Sequence, residues 1–312
     1  MPGPVGEGRE QRLREGVEGV DVRVLLVVNY AREGAVEGAH ELERWLLAEG
    51  ADVTWAPDKK LFPNAHVDVD GVSLVVALGG DGTLLRAARI VGYSEVPVVG
   101  VSYGHLGFLT CDGPENLLRT VADALAGELH ASRRATLDID VELEHEDGTT
   151  THERRFALND FALAHGAGGD MIEFDVSVSG NHVTHLRGDG FVVATATGST
   201  GYALAAGGPI VTPGFDGMVC VPVAPHTILA RAFLTSAADV VRIQIWRDRL
   251  ADRLFMADGQ PVGLPTEAVA ATVKRGPGDV ILLDRSAESF YGSVSRVFYG
   301  NDGNEQPEGV RP

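Results

Sequence analysis

Lysine is almost missing from this sequence. Lys59, Lys60 and Lys274 are the only three among 312 residues, and arginine supplies the rest of the positive charge. Acidic side chains outnumber basic ones by 44 to 26, for a formal net charge of −18. So negative a chain disfavours nucleic acid and anionic membranes as partners, and an anionic ligand needs a local site that overcomes the global field. Cysteine is scarce too. Cys111 and Cys220 have no metal-ligand spacing and are expected as free buried thiols. No apolar run reaches the ~18 residues of a membrane-spanning helix, and the acidic, glycine-rich start is unlike a signal peptide. These absences predict a cytoplasmic protein. What remains, 44% hydrophobic and 22% charged, is the composition of an ordinary globular chain long enough for two domains.

The sequence is organised around residues 78–86, Leu-Gly-Gly-Asp-Gly-Thr-Leu-Leu-Arg. A β-branched apolar run precedes them and apolar residues at helical spacing follow, so the stretch reads as strand, glycine turn, helix. Gly79, Gly80 and Gly82 remove side chains where a backbone can approach a ligand, and the helix presents unpaired N–H groups beside Thr83. That pattern suits phosphate. Asp81 is the odd residue: a carboxylate there repels phosphate unless it accepts a proton or holds a cation. Alternatively it caps the helix. The motif is neither a Walker loop nor a dinucleotide fingerprint.

Elsewhere in the first half, residues 22–28, 53–55, 74–78 and 98–101 read as strands and 35–48 and part of 114–129 as helices. This alternation implies a parallel sheet covered by helices. Asn29 and the turn 100–109, with Phe108 in it, fall at carboxyl ends of strands, where such sheets place ligands. The texture changes near residue 135. Residues 137–143 alternate apolar and acidic, Asp147-Gly148 marks a hairpin, and further strand-like runs cover 156–163, 174–178, 183–187, 190–194, 240–246 and 280–283. Strands without intervening helices imply an all-β second domain. The expected division is a disordered tail 1–20, an α/β domain 21–134, a β-rich domain 135–284, a returning segment 285–300 and a disordered tail 301–312.

Within the β-rich half, residues 188–209 form a second constellation: a strand enters a Thr/Gly/Ser turn and then a small-residue helix, with Thr197 or Ser199 as its expected cap and Tyr202 offering an aromatic face. Hydroxyls and amides with little steric bulk suit a base and its sugar, or merely a tight turn. Asn159, Asp160 and Asp189 are short polar side chains at strand ends, able to bind ribose hydroxyls or satisfy turn backbone.

The order Gly-Gly-Asp-Gly-Thr, Gly-x-x-x-Gly-His-Leu-Gly-Phe, Asn-Asp, Gly-Asp-Gly and Thr-Gly-Ser-Thr-x-Tyr-x-x-x-x-Gly-Gly-Pro resembles the NAD kinase family across residues 22–300. Pro225-His226-Thr227, Arg231 and Asp258-Gly259-Gln260 fit the same pattern. The glycine-Asp motif is shared with lipid and 6-phosphofructokinase-type kinases; the Thr-Gly-Ser-Thr-x-Tyr segment is far more specific. The resemblance implies an N-terminal α/β domain, a C-terminal β domain and a last segment that returns to the first. It makes Asp81 the proton acceptor for the adenosine-ribose 2′-hydroxyl of NAD. Gly79, Gly80, Gly82 and Thr83 hold ATP phosphates in this reading. NAD contacts fall to Asp81, Gly82, Phe108, Asn159, Asp160, Arg187, Asp189, Thr200, Gly201, Tyr202, Ala203, Leu204, Ala205 and Gln260. Mg²⁺ accompanies ATP and, with no lysine in the glycine loop, is expected to carry more of the charge than in a P-loop enzyme. The implied assembly is a homodimer or tetramer. Both constellations are expected to line one cleft.

Ser102, Gly201, Ala196 and Ala232 depart from the family pattern where Asn, Ala, Pro and Pro are common, and His165 stands where an Arg contact is expected. A diacylglycerol- or sphingosine-type kinase and a non-catalytic NAD(P)-binding paralogue remain as alternatives.

Overall fold

The computed structural model describes residues 22–62, 66–104, 107–145, 147–166, 169–246, 253–263, 267–285 and 289–300. The expected tails therefore lie outside the described residues, as do His105 and Leu106 of the second glycine turn. Two compact units emerge. Among the described residues, the first holds those up to Ile90, Val96–Ser132 and those from Ile281 to Gly300; the second holds Val91–Glu95 and those between Arg133 and Val280.

The first unit is built from β1 (Arg23–Val28), α1 (Glu33–Ala48), β2 (Asp52–Trp55), β3 (Leu74–Gly79), α2 (Asp81–Val91), β4 (Val98–Ser102), α3 (Leu117–Leu125), β5 (His130–Arg134), β18 (Val280–Asp284) and α5 (Ser289–Tyr299). Its sheet runs β2-β1-β3-β4-β18-β5. The β1–β2, β1–β3, β3–β4 and β4–β18 pairs are parallel. Every residue of β3 and β4 is buried, as strands covered on both faces require. Val24, Leu26 and Val28 of β1 pack with Ala35, Ala39, Leu42 and Leu46 of α1 and with Leu117 and Val121 of α3. From β1 the chain reaches β2 on one side and β3 on the other. The carboxyl ends of β1 and β3 therefore flank a topological switch point, where open α/β sheets bind ligands.

One assignment is corrected here. β18, which the sequence placed in the β-rich domain, pairs with β4 through Leu282 and Leu283. A short apolar strand carries no local mark of its partner, because pairing is decided by distant contacts. Arg285 then ties the returning chain down. Its guanidinium donates to Asp112, to Asp123 Oδ2 at 2.9 Å and to Thr120 Oγ1 at 2.8 Å.

The second unit has two antiparallel sheets. One runs β10-β9-β14-β17-β6-β7 and the other β13-β12-β11-β8-β15-β16. The elements are β6 (Leu137–Glu144), β7 (Thr150–Ala157), β8 (Asp160–His165), β9 (Ile172–Val178), β10 (Asn181–Gly188), β11 (Gly190–Ala194), β12 (Val219–Val223), β13 (Phe233–Leu234), β14 (Val240–Ile245), β15 (Arg253–Ala257), β16 (Gln260–Val262) and β17 (Ala268–Arg275). Their inner faces share a core containing Ile139, Val141, Phe161, Phe174, Phe191, Val241 and Phe255. The outer face of the second of these sheets is also covered. Ala162, Val192, Val219 and Val221 pack against Ala196, Ala203 and Val211 of the segment that follows β11. Both cysteines are free thiols, Cys220 buried and Cys111 half-buried. Among the described residues no helix is long and apolar enough to cross a membrane.

Candidate active site

The glycine turn begins where β3 ends. Gly79 is demanded by packing: a methyl group there would lie 2.1 Å from Thr83 Oγ1 and 3.1 Å from Asn29 Cβ. Gly80 and Gly82 differ. Neither has a positive φ, and a methyl group on either would meet nothing within 4 Å. The fold does not need glycine at these two positions, and both face a pocket of about 560 Å³ at the switch point. Its other walls are Val28, Asn29, Tyr30, Ala31 and Arg32 after β1, Asp58, Lys59 and Lys60 after β2, and Thr83 and Arg86 of α2.

Asp81 opens α2 and is not the unpaired carboxylate its neighbours suggest. The N–H groups of Phe108 and Leu109 donate to Oδ2 and Oδ1 at 3.2 and 3.3 Å. Gly107 lies so close that a methyl group on it would sit 2.1 Å from Asp81 Oδ1. The turn after β4 is thus a seat for the carboxylate, held in place by Tyr103 N–H donating to Gly79 O at 2.8 Å. Burial raises the Asp81 pKa and outweighs the two N–H groups, which lower it. Phe108 stacks its ring on Phe298 of α5, with centroids 5.6 Å apart.

In the second unit the chain breaks the expected 156–163 strand at Leu158-Asn159 and crosses from β7 in one sheet to β8 in the other. Asp258 anchors the crossing. It sits at φ 46° in the Asp258-Gly259 turn, where Asp tolerates a left-handed backbone. Its carboxylate accepts the N–H groups of Leu158, Asn159 and Asp160 at 2.9, 2.7 and 3.2 Å. The Thr/Gly/Ser turn docks on the same place. Thr195 N–H donates to Asn159 O at 2.9 Å, Thr195 Oγ1 donates to Leu158 O at 2.6 Å, and a methyl group on Gly198 would lie 2.0 Å from Asn159 O. Gly201 closes over Asn159 and Asp160, yet has room for a methyl group: its nearest neighbours would be 3.4–3.9 Å away. The Tyr202 hydroxyl is pushed up in pKa by burial, then by the charges of Asp160 and Asp189, so these three groups share one region. Gln260 begins β16, beside Asp258 on the β15–β16 hairpin.

Asn159 Oδ1 is buried and accepts no hydrogen bond among the described residues. Such an orphan costs ~1–3 kcal/mol, which a ligand N–H or O–H recovers.

Several expectations change in detail. Residues 197–200 form a 3₁₀ turn with no side-chain cap. Ser199 is buried and instead donates to Ala196 O and accepts from Val211 N–H, while Thr200 Oγ1 donates to Thr197 O. Ala203, in the short helix α4 (Tyr202–Ala205), is fully buried in the apolar cluster, so its side chain offers no surface to a ligand. Leu204 is half-buried and Ala205 exposed. Their spacing of two would put Arg187 and Asp189 on one face of a continuous strand, but the chain leaves one sheet at Gly188 and enters the other at Gly190, so they do not share one. Arg187 is exposed on the edge strand β10, and its side chain makes no hydrogen bond or ion pair among the described residues. Ser102 Oγ accepts Gly104 N–H at 3.3 Å, and Ala196 is buried without strain on its turn.

Lys59, Lys60 and Arg86 were not singled out by sequence, although the signal was present: two of the chain's three lysines are adjacent and follow a strand. They place cationic side chains beside the glycine loop, in the same pocket as Gly80 and Gly82.

Asp160 gives a pH prediction. Burial, reinforced by the Asp258 charge, pushes its carboxyl from 3.8 to about 7. The folded form therefore holds a proton that the unfolded chain releases near pH 4. Stability falls as pH rises between those values, and above pH 7 the buried charge costs on the order of a few kcal/mol. Asp160→Asn is expected to be more heat-stable than the parent at pH 8 and no more stable at pH 4. A melting-temperature difference independent of pH would refute this.

A Gly-Asp-Gly turn opening a helix at a cationic switch-point pocket, joined to a β-sandwich unit with an orphaned Asn, defines a two-domain nucleotide phosphotransferase. Residues 58–129 match the model of the ATP-NAD kinase N-terminal domain, and residues 158–283 match the ATP-NAD kinase C-terminal domain. An NAD kinase of Polaromonas naphthalenivorans is 33% identical over 288 residues, 90% of this chain and 97% of that protein. One from Yersinia pestis is 32% identical, covering 86% and 93%. Among solved structures, an Archaeoglobus fulgidus NAD kinase in complex with ATP superposes with a TM-score of 0.68 at 25% identity, covering 88% of this chain and 98% of that one. Yeast NADH kinase complexed with NADH shares the fold at a TM-score of 0.79 and 19% identity, covering 94% and 91%. The chain belongs to the NAD kinase family.

Proposed function

We propose that this protein transfers the terminal phosphoryl group of ATP to the adenosine-ribose 2′-hydroxyl of NAD, giving NADP and ADP. The observation that carries the reading is the pair Gly80 and Gly82 around Asp81: two glycines that the fold does not require, facing a cationic pocket. Their amides and the amino end of α2 receive donor phosphates. Asp81 takes the hydroxyl proton, and its raised proton affinity suits a base. Asn159, Asp160, Asp189, Gly201 and Tyr202 hold the dinucleotide, with the Asn159 Oδ1 orphan accepting from it. Mg²⁺ enters with ATP and supplies charge neutralisation on the phosphates. Among the described residues no group of three or more His, Cys, Asp or Glu is arranged to hold a metal by itself. The protein acts in the cytoplasm as a homodimer or tetramer.

The test is direct. Mg-ATP and NAD are incubated with the pure protein and NADP is measured. NAD lacking the adenosine 2′-hydroxyl is expected to bind without being phosphorylated; phosphorylation of that analogue would place the acceptor elsewhere. Co-sedimentation with lipid vesicles would favour the lipid-kinase alternative.

Arg187 is expected to serve binding rather than chemistry. With no ion pair to Asp189, its charge is available to an anionic group of the dinucleotide. Exposed pairs are worth ~0.2–1 kcal/mol, so Arg187→Ala should raise KM for NAD by up to about 5-fold and leave kcat nearly unchanged. An unaltered KM would remove Arg187 from the site.

A further inference from the structure

Lysine in this molecule is rare and unevenly placed. Lys274 is paired with Asp138 at 3.3 Å on the second unit. The other two lysines line the switch-point pocket with Arg32 and Arg86, opposed by the single carboxylate of Asp58. Asp58 is engaged locally: its Oδ1 accepts Lys60 N–H at 2.9 Å and its carbonyl accepts Phe62 N–H at 2.8 Å, shaping the turn that presents both lysines. Arg86 clamps this turn to the sheet, donating to Val28 O at 3.4 Å and to Pro57 O. Arg32 is committed to Tyr103 O at 2.6 Å. Burial and then the charges of Arg89 and Arg86 depress the Lys59 pKa, so the pocket carries crowded positive charge that a polyanion relieves. The same pocket contains Gly80 and Gly82 with their open space.

We propose that Lys59 and Lys60 form the subsite for the non-transferred phosphates of the donor, with Arg86 as the positioning residue that holds their turn. This rests on the kinase reading above and adds to it which residues select the donor. The two lysines act as point charges on the phosphate chain, the part a P-loop lysine plays from within its own loop. They bind donor, not acceptor, and a phosphate chain without a nucleoside competes for the same place.

The test compares full-length wild type with Lys59→Gln, Lys60→Gln and the double variant. NADP formation is followed at varied ATP and at varied NAD, and binding of Mg-ATP and of inorganic tripolyphosphate is measured by calorimetry. Each lost charge-assisted contact is expected to raise KM for ATP about 10-fold and both together about 100-fold. KM for NAD and the melting temperature should stay as in the wild type. In the wild type, tripolyphosphate should inhibit competitively against ATP, and its binding should vanish in the double variant. KM for ATP within 2-fold of wild type in the double variant would overturn the proposal, and so would equal rises in both KM values. If the double variant does not fold, the single variants and a charge-preserving Lys59→Arg/Lys60→Arg pair decide: retained ATP affinity in the arginine pair with loss in either single supports the subsite, and no difference overturns it. A wild type that makes no NADP would refute the kinase reading alone, since the calorimetric comparison still tests the subsite.

Discussion

Replacing Asp81 with Asn is expected to lower turnover by ~10²–10⁴-fold, the usual contribution of a positioned acid–base group, while leaving NAD bound. The substitution removes the charge and the capacity to take the hydroxyl proton. It also touches the seat. Both carboxylate oxygens accept backbone N–H groups, from Phe108 and Leu109, and an Asn side chain offers one oxygen for the two donors. The residues proposed to hold the base and ribose of NAD, Asn159, Asp189, Gly201 and Tyr202 among them, lie mainly in the second unit, so NAD affinity should persist. Loss of one negative charge beside the phosphate pocket should tighten ATP. Steady-state NADP formation and calorimetric NAD binding are measured on both proteins. Equal turnover would take Asp81 out of the mechanism, and an inactive wild type that still binds NAD would make the chain a binding module.

Gly107→Ala probes the same chemistry without touching the charge. The new methyl would lie 2.1–2.4 Å from the Asp81 carboxyl atoms, far inside contact distance, so the carboxylate must leave its two N–H donors. Small misplacements of a reacting group cost about 10²-fold; we expect a loss of that size in kcat, with KM for NAD retained. Full activity in this variant would mean that Asp81 works away from the seat.

The parts of this molecule legible from sequence are those with local periodicity or special turn chemistry. The run 74–78 leading into the glycine turn, the alternation over 137–143 and the strand Gly190–Ala194 are all present in the structure. β17 is not legible in the sequence because Ala-Val-Ala-Ala-Thr-Val lacks alternation; it is a central strand whose first four residues are all buried. β12 was hidden by Pro222. The break at Asn159 is marked in the sequence only by the polar pair Asn159-Asp160 within an otherwise apolar run, and the Asp258 hairpin, about a hundred residues on, is what fixes it. The same holds for the site. Asp81 announced itself by its odd placement among glycines, whereas Lys59 and Lys60 are ordinary surface residues until the parallel sheet sets the ends of β1, β2 and β3 side by side.

The place of β18 between β4 and β5 also bears on how the protein is made. The strand that completes the first sheet leaves the ribosome only after the entire second unit. Until then β4 has no partner on that side, and Asp112 and Asp123 lack the arginine that later bridges them. An open parallel edge is a template for wrong pairings, and long-range closure of this kind is slow. The nascent first unit is thus the aggregation-exposed stage of synthesis, and release of the chain through Arg285 is the step that ends it.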